Sequence, residues 1–157
     1  MNLDSLIKRG QPPWRPKLEA TDLEVWHEYE IPLIGTFRLN EQLVLFTQVM
    51  ESDRGLSAWA YVCLGAEDLS GVEFVSIDEM RDFVEAKFLG REAVLALAKD
   101  DLLGQWTRQT VANSLRNALE DFLNGIIKSV NEVPDTDRRI RAKFAGLEAA
   151  EDELELV

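Results

Sequence analysis

Between residues 23 and 64, apolar and β-branched residues gather in short runs that polar turns separate. The runs occupy residues 23–35, 36–50 and 56–64. One turn, LNEQ at 39–42, lies within the second run, and another, ESDRG at 51–55, precedes the third. Short polar turns between strand-forming runs are typical of antiparallel hairpins. The pattern therefore predicts a meander of at least three strands, in which Pro32 interrupts or bends the first one.

Within residues 43–50 both phases of the strand alternation are apolar. Leu43, Leu45 and Val49 fall on one face, and Val44, Phe46 and Met50 fall on the other. A strand that is apolar on both faces is usually covered on both. We therefore expect the sheet to be buried on its two sides.

Two segments have the apolar spacing of helices. In residues 76–90, Ser76 and Glu79 match the S-x-x-E capping box and Gly90 supplies a stop, while residues 113–130 open with Asn113 as an N-cap. Their apolar stripes are Ile77, Met80, Phe83, Val84 and Phe88 in the first, and Leu115, Leu119, Phe122, Leu123, Ile126 and Val130 in the second. Residues 91–109 between them predict a further hairpin that turns near KDD. The predicted fold is α+β, an antiparallel meander sheet of about five to seven strands packed by two amphipathic helices.

The 157 residues are organised around one domain. Residues 1–22 predict a short helix at 3–9 and a proline-rich arm, QPPWRP, which cannot continue a helix. Residues 23–133 form the α+β core. In residues 134–157 a basic stretch precedes an acidic one, and we expect this segment to be mobile when the protein is alone. Trp14 in the arm either pins the arm to the domain or serves as an exposed anchor for a partner.

Charge and composition narrow the class of protein. The formal net charge is −12, which disfavours direct binding to nucleic acid or to anionic membranes. We find no secretory signal and no membrane span in the sequence, and one cysteine cannot form an internal disulfide. These features predict a cytoplasmic protein.

The chain has few of the residues that commonly act as nucleophiles, bases or metal ligands, with one cysteine and one histidine. Cys63 and His27 are each alone of their type and lie in predicted strands, so we expect a core thiol and a half-exposed imidazole rather than a catalytic pair. One His and one Cys do not suffice for a zinc site, and no phosphate-binding or nucleophile motif occurs. We predict no catalytic residues, no metal and no cofactor. A site built from carboxylates alone leaves no motif and stays open.

The order of runs from residue 23 to residue 106 resembles a group of uncharacterised small bacterial proteins. The shared features are a strand bearing E-x-[YW], a Leu/Phe-rich strand and a W-x-Y-V strand after an acidic turn, with SIDEMRDFV and GREAVLALA after them. The resemblance implies an α+β domain of bacterial or phage origin. It implies no activity and no functional residues. In length, acidity and fold class the chain is also similar to immunity proteins and antitoxins.

These observations favour a non-enzymatic, protein-binding module. The leading hypothesis is an immunity, antitoxin-like or anti-defence protein that blocks a basic partner through its acidic surface. The predicted contacts are Trp14 as an apolar anchor and the acidic tail residues Glu151, Asp152, Glu153 and Glu155. The alternatives are a structural or regulatory subunit of a bacterial or phage assembly, bound through the apolar face of the 113–130 helix, and an enzyme with a carboxylate-only site. The oligomeric state stays open.

Overall fold

A computed structural model describes residues 5–52, 54–70 and 72–130, with side chains up to residue 126. The strands are β1 Thr21–Tyr29, β2 Ile31–Leu39, β3 Gln42–Glu51, β4 Leu56–Leu64, β5 Glu92–Lys99 and β6 Leu102–Thr110, and the helices are α1 Ile77–Phe88 and α2 Leu115–Val130. The six strands form one antiparallel sheet in the order of the sequence. The predicted α+β class and the meander are confirmed.

Two-residue turns set the register of two hairpins. Asn40 and Glu41 have φ angles of 51° and 68°, and Asp100 and Asp101 have φ angles of 51° and 63°. Positive φ at both central residues defines the mirror-image turn whose twist matches that of paired strands. The predicted turns at LNEQ and KDD are confirmed.

The first predicted strand is wrong in its extent. Residues 23–35 are divided between two strands, because the chain reverses at Glu30, whose φ is 66°. Pro32 lies in β2 opposite Glu28, and the pairing of β2 with β3 begins two residues later, at Ile34. A residue without an amide hydrogen is tolerated there because β3 requires no bond from it.

The N-terminal arm covers one face of the sheet. Leu6 and Ile7 are 0% and 4% exposed and share a cluster with Trp59 and Tyr61 of β4. The Tyr61 hydroxyl donates a hydrogen bond of 2.7 Å to the carbonyl oxygen of Pro13. Residues 6–9 are not helical, so the helix predicted at 3–9 does not form there. Burial of two consecutive apolar residues and the bond from the Lys8 amide to the Pro16 carbonyl favour the irregular conformation.

The second face carries both helices. Leu45, Val62 and Leu95 of the sheet share a cluster with Val84 and Phe88 of α1 and with Leu115 of α2. Leu56, Ala58 and Leu97 form a neighbouring cluster with Leu119, Leu123 and Ile126 of α2. The sheet is therefore buried on both faces by different parts of the chain.

The ends of the helices follow local hydrogen bonding. The Ser76 hydroxyl accepts a bond from the Glu79 amide, as the capping box predicts, and Gly90 has a φ of 76° beyond the end of α1. The prediction of Asn113 as the N-cap of the second helix is wrong. The Ser114 hydroxyl accepts from the Asn117 amide, one residue further along the chain. A serine three residues before that amide has the same capping chemistry as asparagine, so the sequence did not distinguish them.

Of the two helices in the described residues, neither is long and apolar enough to cross a membrane. The predicted C-terminal segment, residues 134–157, lies outside the described residues.

Candidate functional site

Strand β1 forms one edge of the sheet and is open to solvent over most of its length. Leu23, Val25 and Tyr29 are 44%, 39% and 75% exposed. The exposed carboxylates on and beside the strand, here called the acidic edge, belong to Glu19, Asp22, Glu24, Glu28 and Glu30. The sequence contains no Lys or Arg between residues 18 and 37. The edge therefore combines negative charge with exposed apolar and aromatic surface.

The backbone of β1 is irregular for an edge strand of nine residues. Its register with β2 shifts at three places, between Thr21 and Glu24, Val25 and His27, and His27 and Glu28. Bulges and charged side chains on an edge obstruct uncontrolled pairing with another strand. The acidic edge is therefore poorly suited to the addition of a further strand.

A groove of about 410 Å³ lies beside β1, between the sheet, α1 and the start of α2. Its apolar lining includes Ile34, Val49 and Met50, and its polar lining includes His27, Arg81 and Glu85. The Glu85 carboxylate accepts a hydrogen bond of 2.8 Å from the Leu115 amide, so it caps α2. Two further groups also have protein partners. Thr47 donates to the Gln48 carbonyl at 3.1 Å and Arg116 lies 3.9 Å from Glu120. Glu85, Thr47 and Arg116 therefore have structural partners within the protein.

A bidentate ion pair that the sequence did not predict joins a 3₁₀ turn to the start of β5. Asp68, in a 3₁₀ turn at Ala66–Leu69, accepts bonds of 2.6 and 3.0 Å from the two terminal nitrogens of Arg91. Asp68 also accepts from the Gly65 amide at 2.8 Å, and Lys87 Nζ lies 3.6 Å away. The bonds from Arg91 lower the pKa of Asp68 to about 2, against the opposing effect of burial. Because its oxygens are engaged by the protein itself, we interpret Asp68 as a structural residue.

Cys63 and His27 lie on opposite faces of the sheet. Cys63 packs against the cluster under the N-terminal arm, whereas His27 lines the groove on the helix side. Burial raises the pKa of the Cys63 thiol, which disfavours the reactive thiolate. The two residues therefore cannot act together as nucleophile and base.

Trp14 is partly buried against the core of its own chain. Its ring centroid lies 6.3 Å from that of Trp59, and it packs on the cluster formed with the arm. This contact agrees with a residue that pins the arm; a role of Trp14 in partner binding stays a prediction. The other predicted contacts, Glu151, Asp152, Glu153 and Glu155, lie outside the described residues.

The carboxylate-only enzyme requires a pocket with at least two acidic groups of raised pKa. A hollow of about 360 Å³ is lined by Glu30, Glu51 and Asp101. Burial, together with the neighbouring charge of Asp100, raises the pKa of Asp101. Asp101 is therefore an acidic group of raised pKa in this pocket, and the carboxylate-only enzyme stays a prediction. Residues 5–52, 54–70 and 72–130 contain no cluster of three metal-ligating side chains.

The acidic edge was not predicted, because residues 23–35 were expected to form one strand. The pattern that would have revealed it is the succession of acids from Glu19 to Glu30 without an intervening Lys or Arg. The apolar face of α2, predicted as a contact with an assembly, packs against the sheet of its own chain. Leu119 and Leu123 are 1% and 5% exposed against the sheet.

Comparisons with protein-family models, with curated proteins and with solved structures found no match to this chain.

Proposed function

We propose that the protein is a non-enzymatic, cytoplasmic protein-binding module of the immunity, antitoxin-like or anti-defence type, which blocks a basic partner through the acidic edge of β1. The observation that carries the proposal is the concentration of exposed acids beside exposed apolar residues on one strand at the margin of the sheet.

The charge of this edge indicates the kind of partner surface that it would bind. A surface rich in acids attracts a basic surface at long range and accelerates encounter. The overall charge of −12 adds to this attraction. A partner with Lys and Arg at its functional surface would be covered by such an edge.

Apolar contacts supply the short-range part of the binding. Tyr29 is 75% exposed, and aromatic residues that become buried on binding are common among the residues that dominate interface energy. Leu23 and Val25 lie on the same strand and add apolar surface. The acidic tail and Trp14 are additional contact candidates.

The test is affinity capture from lysate of the native host with three charge-reversal variants, two of which are compared first. One carries Glu24→Lys and Glu28→Lys on the acidic edge. The matched control carries Asp82→Lys and Asp121→Lys on exposed positions of α1 and α2, and so has the same net charge. We expect one dominant basic protein to bind the wild type and the control, to be lost at high salt, and to be absent from the edge variant.

The outcomes separate the possible contact surfaces. Equal loss with both variants would show that net charge matters and position does not, and retention by the edge variant would contradict the role of β1. A third variant reverses Glu151, Asp152, Glu153 and Glu155. If it alone abolishes capture, the tail is the binding surface and the acidic edge is not.

A further inference from the structure

Strand β6 forms the other edge of the sheet and differs from β1 in charge and in regularity. Residues 102–110 include no Asp or Glu, although the chain has 29 acids. The pairing of β6 with β5 is regular from Gln105 to Thr110. In the described residues no strand pairs with its outer side. Trp106 on this edge is 36% exposed. From Gln105 onward the edge therefore lacks the acidic side chains and the bulges that obstruct strand pairing at β1.

The direction of the backbone groups along β6 follows from its hydrogen bonds. Lys99 and Leu102 flank a two-residue turn and so face each other with their amides and carbonyls. The backbone groups of Leu103 point away from β5, because its amide donates to the Gln11 carbonyl and its carbonyl accepts from the Gly10 amide of the arm. An irregularity follows, and Gln105 then pairs with Leu97. Leu97 lies two residues from Lys99, so its backbone groups also point toward β6. The amides and carbonyls of Gln105, Thr107 and Gln109 therefore point toward β5.

The outward-pointing backbone groups of the free part of β6 therefore belong to Trp106, Arg108 and Thr110. The bonds at Leu103 show that the arm occupies only the start of this edge. The Arg9 side chain adds a bond of 3.2 Å to the Gly104 carbonyl. Residues 105–110 present a short, regular template to an incoming antiparallel strand.

We propose that a second copy of this chain occupies this edge, with the β6 strands antiparallel about a two-fold axis at Thr107. Thr107 then lies opposite Thr107 of the second copy, and Gln105 lies opposite Gln109. Trp106 lies opposite Arg108 of the second copy, and each such pair exchanges two backbone hydrogen bonds. The sequence QWTRQ is thus chemically complementary to itself when it is reversed.

The Trp106–Arg108 pairs select this register over its neighbours. A guanidinium over an indole ring is a favourable cation–π contact, and it forms twice about the axis. An axis at Arg108 would place two positive charges opposite each other, which is unfavourable. An axis at Trp106 would place Arg108 opposite Gly104, which has no side chain. Arg108 Nε donates to Glu92 at 2.6 Å, and a guanidinium can accept a ring on its face while it bonds by its edge.

Charge also favours a second copy at this edge. Two molecules of charge −12 repel each other at long range, so self-association requires a surface on which carboxylates do not meet. The residues of β6 contribute no carboxylate, and the neighbouring Glu92 is paired with Arg108. The interface is small, which predicts a weak dimer whose population rises with protein concentration and with salt. The two acidic edges would lie at the far ends of the joined sheet, and the inference does not depend on their function.

Cysteine crosslinking tests the register. In a Cys63→Ala background, Thr107→Cys places two thiols opposite each other across a pair that is not hydrogen-bonded, with Cα atoms about 4.5 Å apart. We expect a covalent dimer after mild oxidation. The matched control, Thr110→Cys on the same edge, has no symmetry-related thiol opposite it and should stay monomeric. Crosslinking of both variants to equal extent, or of neither, would overturn the register.

Sedimentation equilibrium with a charge exchange tests the dimer without a crosslink. Trp106→Arg places Arg opposite Arg108 and should weaken the dimer by at least tenfold in Kd. Adding Arg108→Trp to that variant restores an Arg–Trp pair with its order reversed and should recover most of the affinity. Wild-type protein that stays monomeric at its highest soluble concentration, or a double variant no tighter than Trp106→Arg, would overturn the proposal. Circular dichroism confirms that each variant is folded.

Discussion

The contacts of Asp68 illustrate how single residues hold the chain together. Among the described residues, Asp68 is the charged residue that is buried, with 8% of its surface exposed. Its bidentate pair with Arg91 satisfies the geometry that makes such a carboxylate tolerable inside a protein. Arg91 also donates to the Cys63 carbonyl at 3.3 Å, so the pair connects the end of β4 with the start of β5.

We expect Asp68→Asn to lower the free energy of unfolding by about 2–4 kcal/mol, because it leaves Arg91 without its ionic partner. Urea denaturation at neutral pH measures the change. Glu67→Gln, at the exposed neighbouring position, serves as the control and should change stability by less than about 0.5 kcal/mol. Equal effects of the two substitutions would contradict the structural role of Asp68.

The same pair predicts a pH dependence. The pKa of Asp68 is about 2 in the folded state, below its ordinary value of 3.8, so between these values the unfolded state binds more protons. The contribution of Asp68, about 2 kcal/mol, is therefore complete above pH 4 and lost as the pH falls from about 4 to 2. The stability difference between wild type and Asp68→Asn should shrink over that interval. A constant difference would contradict the lowered pKa.

At the scale of elements, two-residue turns fix the register of the sheet by using backbone conformations that most residues avoid. Glu41 is an exposed residue with a φ of 68°, in the left-handed region that glycine occupies without strain. Asn40 before it tolerates the same region better, since its short side chain bonds locally. The turn therefore departs from the favoured Asn-Gly pair at one position.

We expect Glu41→Gly to raise the free energy of unfolding by about 0.5–1 kcal/mol, the relief of strain minus the added entropy of the unfolded chain. Thermal or urea unfolding gives the value. Glu41→Ala removes the same side chain but keeps a Cβ, so it should not stabilise the protein. A gain with alanine equal to that with glycine would attribute the effect to lost charge instead of backbone strain.

At the scale of the whole molecule, the N-terminal arm belongs to the folded domain. It covers the face of the sheet opposite to the helices, and Leu6, Trp59 and Tyr61 are each 0% exposed. Two backbone bonds between the arm and Leu103, of 2.8 and 2.9 Å, fasten it to β6. Arm, sheet and helices should therefore unfold together.

Leu6→Ala is expected to lower the free energy of unfolding by about 2–5 kcal/mol, as for other fully buried leucines. Leu18→Ala, in the same arm but 59% exposed, is the matched control and should have little effect. Tryptophan fluorescence and circular dichroism should report one common transition for both variants. An arm that detaches first would instead give a small effect of Leu6→Ala and transitions that do not coincide.

Much of the fold could be predicted from local patterns. The turn residues at 40–41 and 100–101 determined two hairpins, and Ser76 with Gly90 marked the limits of α1. These features depend on neighbouring residues, whose conformational preferences are present in the sequence itself. The apolar character of both faces of β3 likewise required that each face be covered, although not by what.

The tertiary structure decided which parts of the chain meet. It placed the arm over one face, separated Cys63 from His27 by the thickness of the sheet, and brought Asp68 to Arg91 across 23 residues of sequence. It also made β1, which is rich in acids, and β6, which has none, the two edges of the sheet. Such contacts follow from the order of the strands and from the burial of distant residues against each other, which no local pattern records. The sequence by itself therefore determined the elements and their turns, and only the tertiary structure decided which surfaces remained open to a partner.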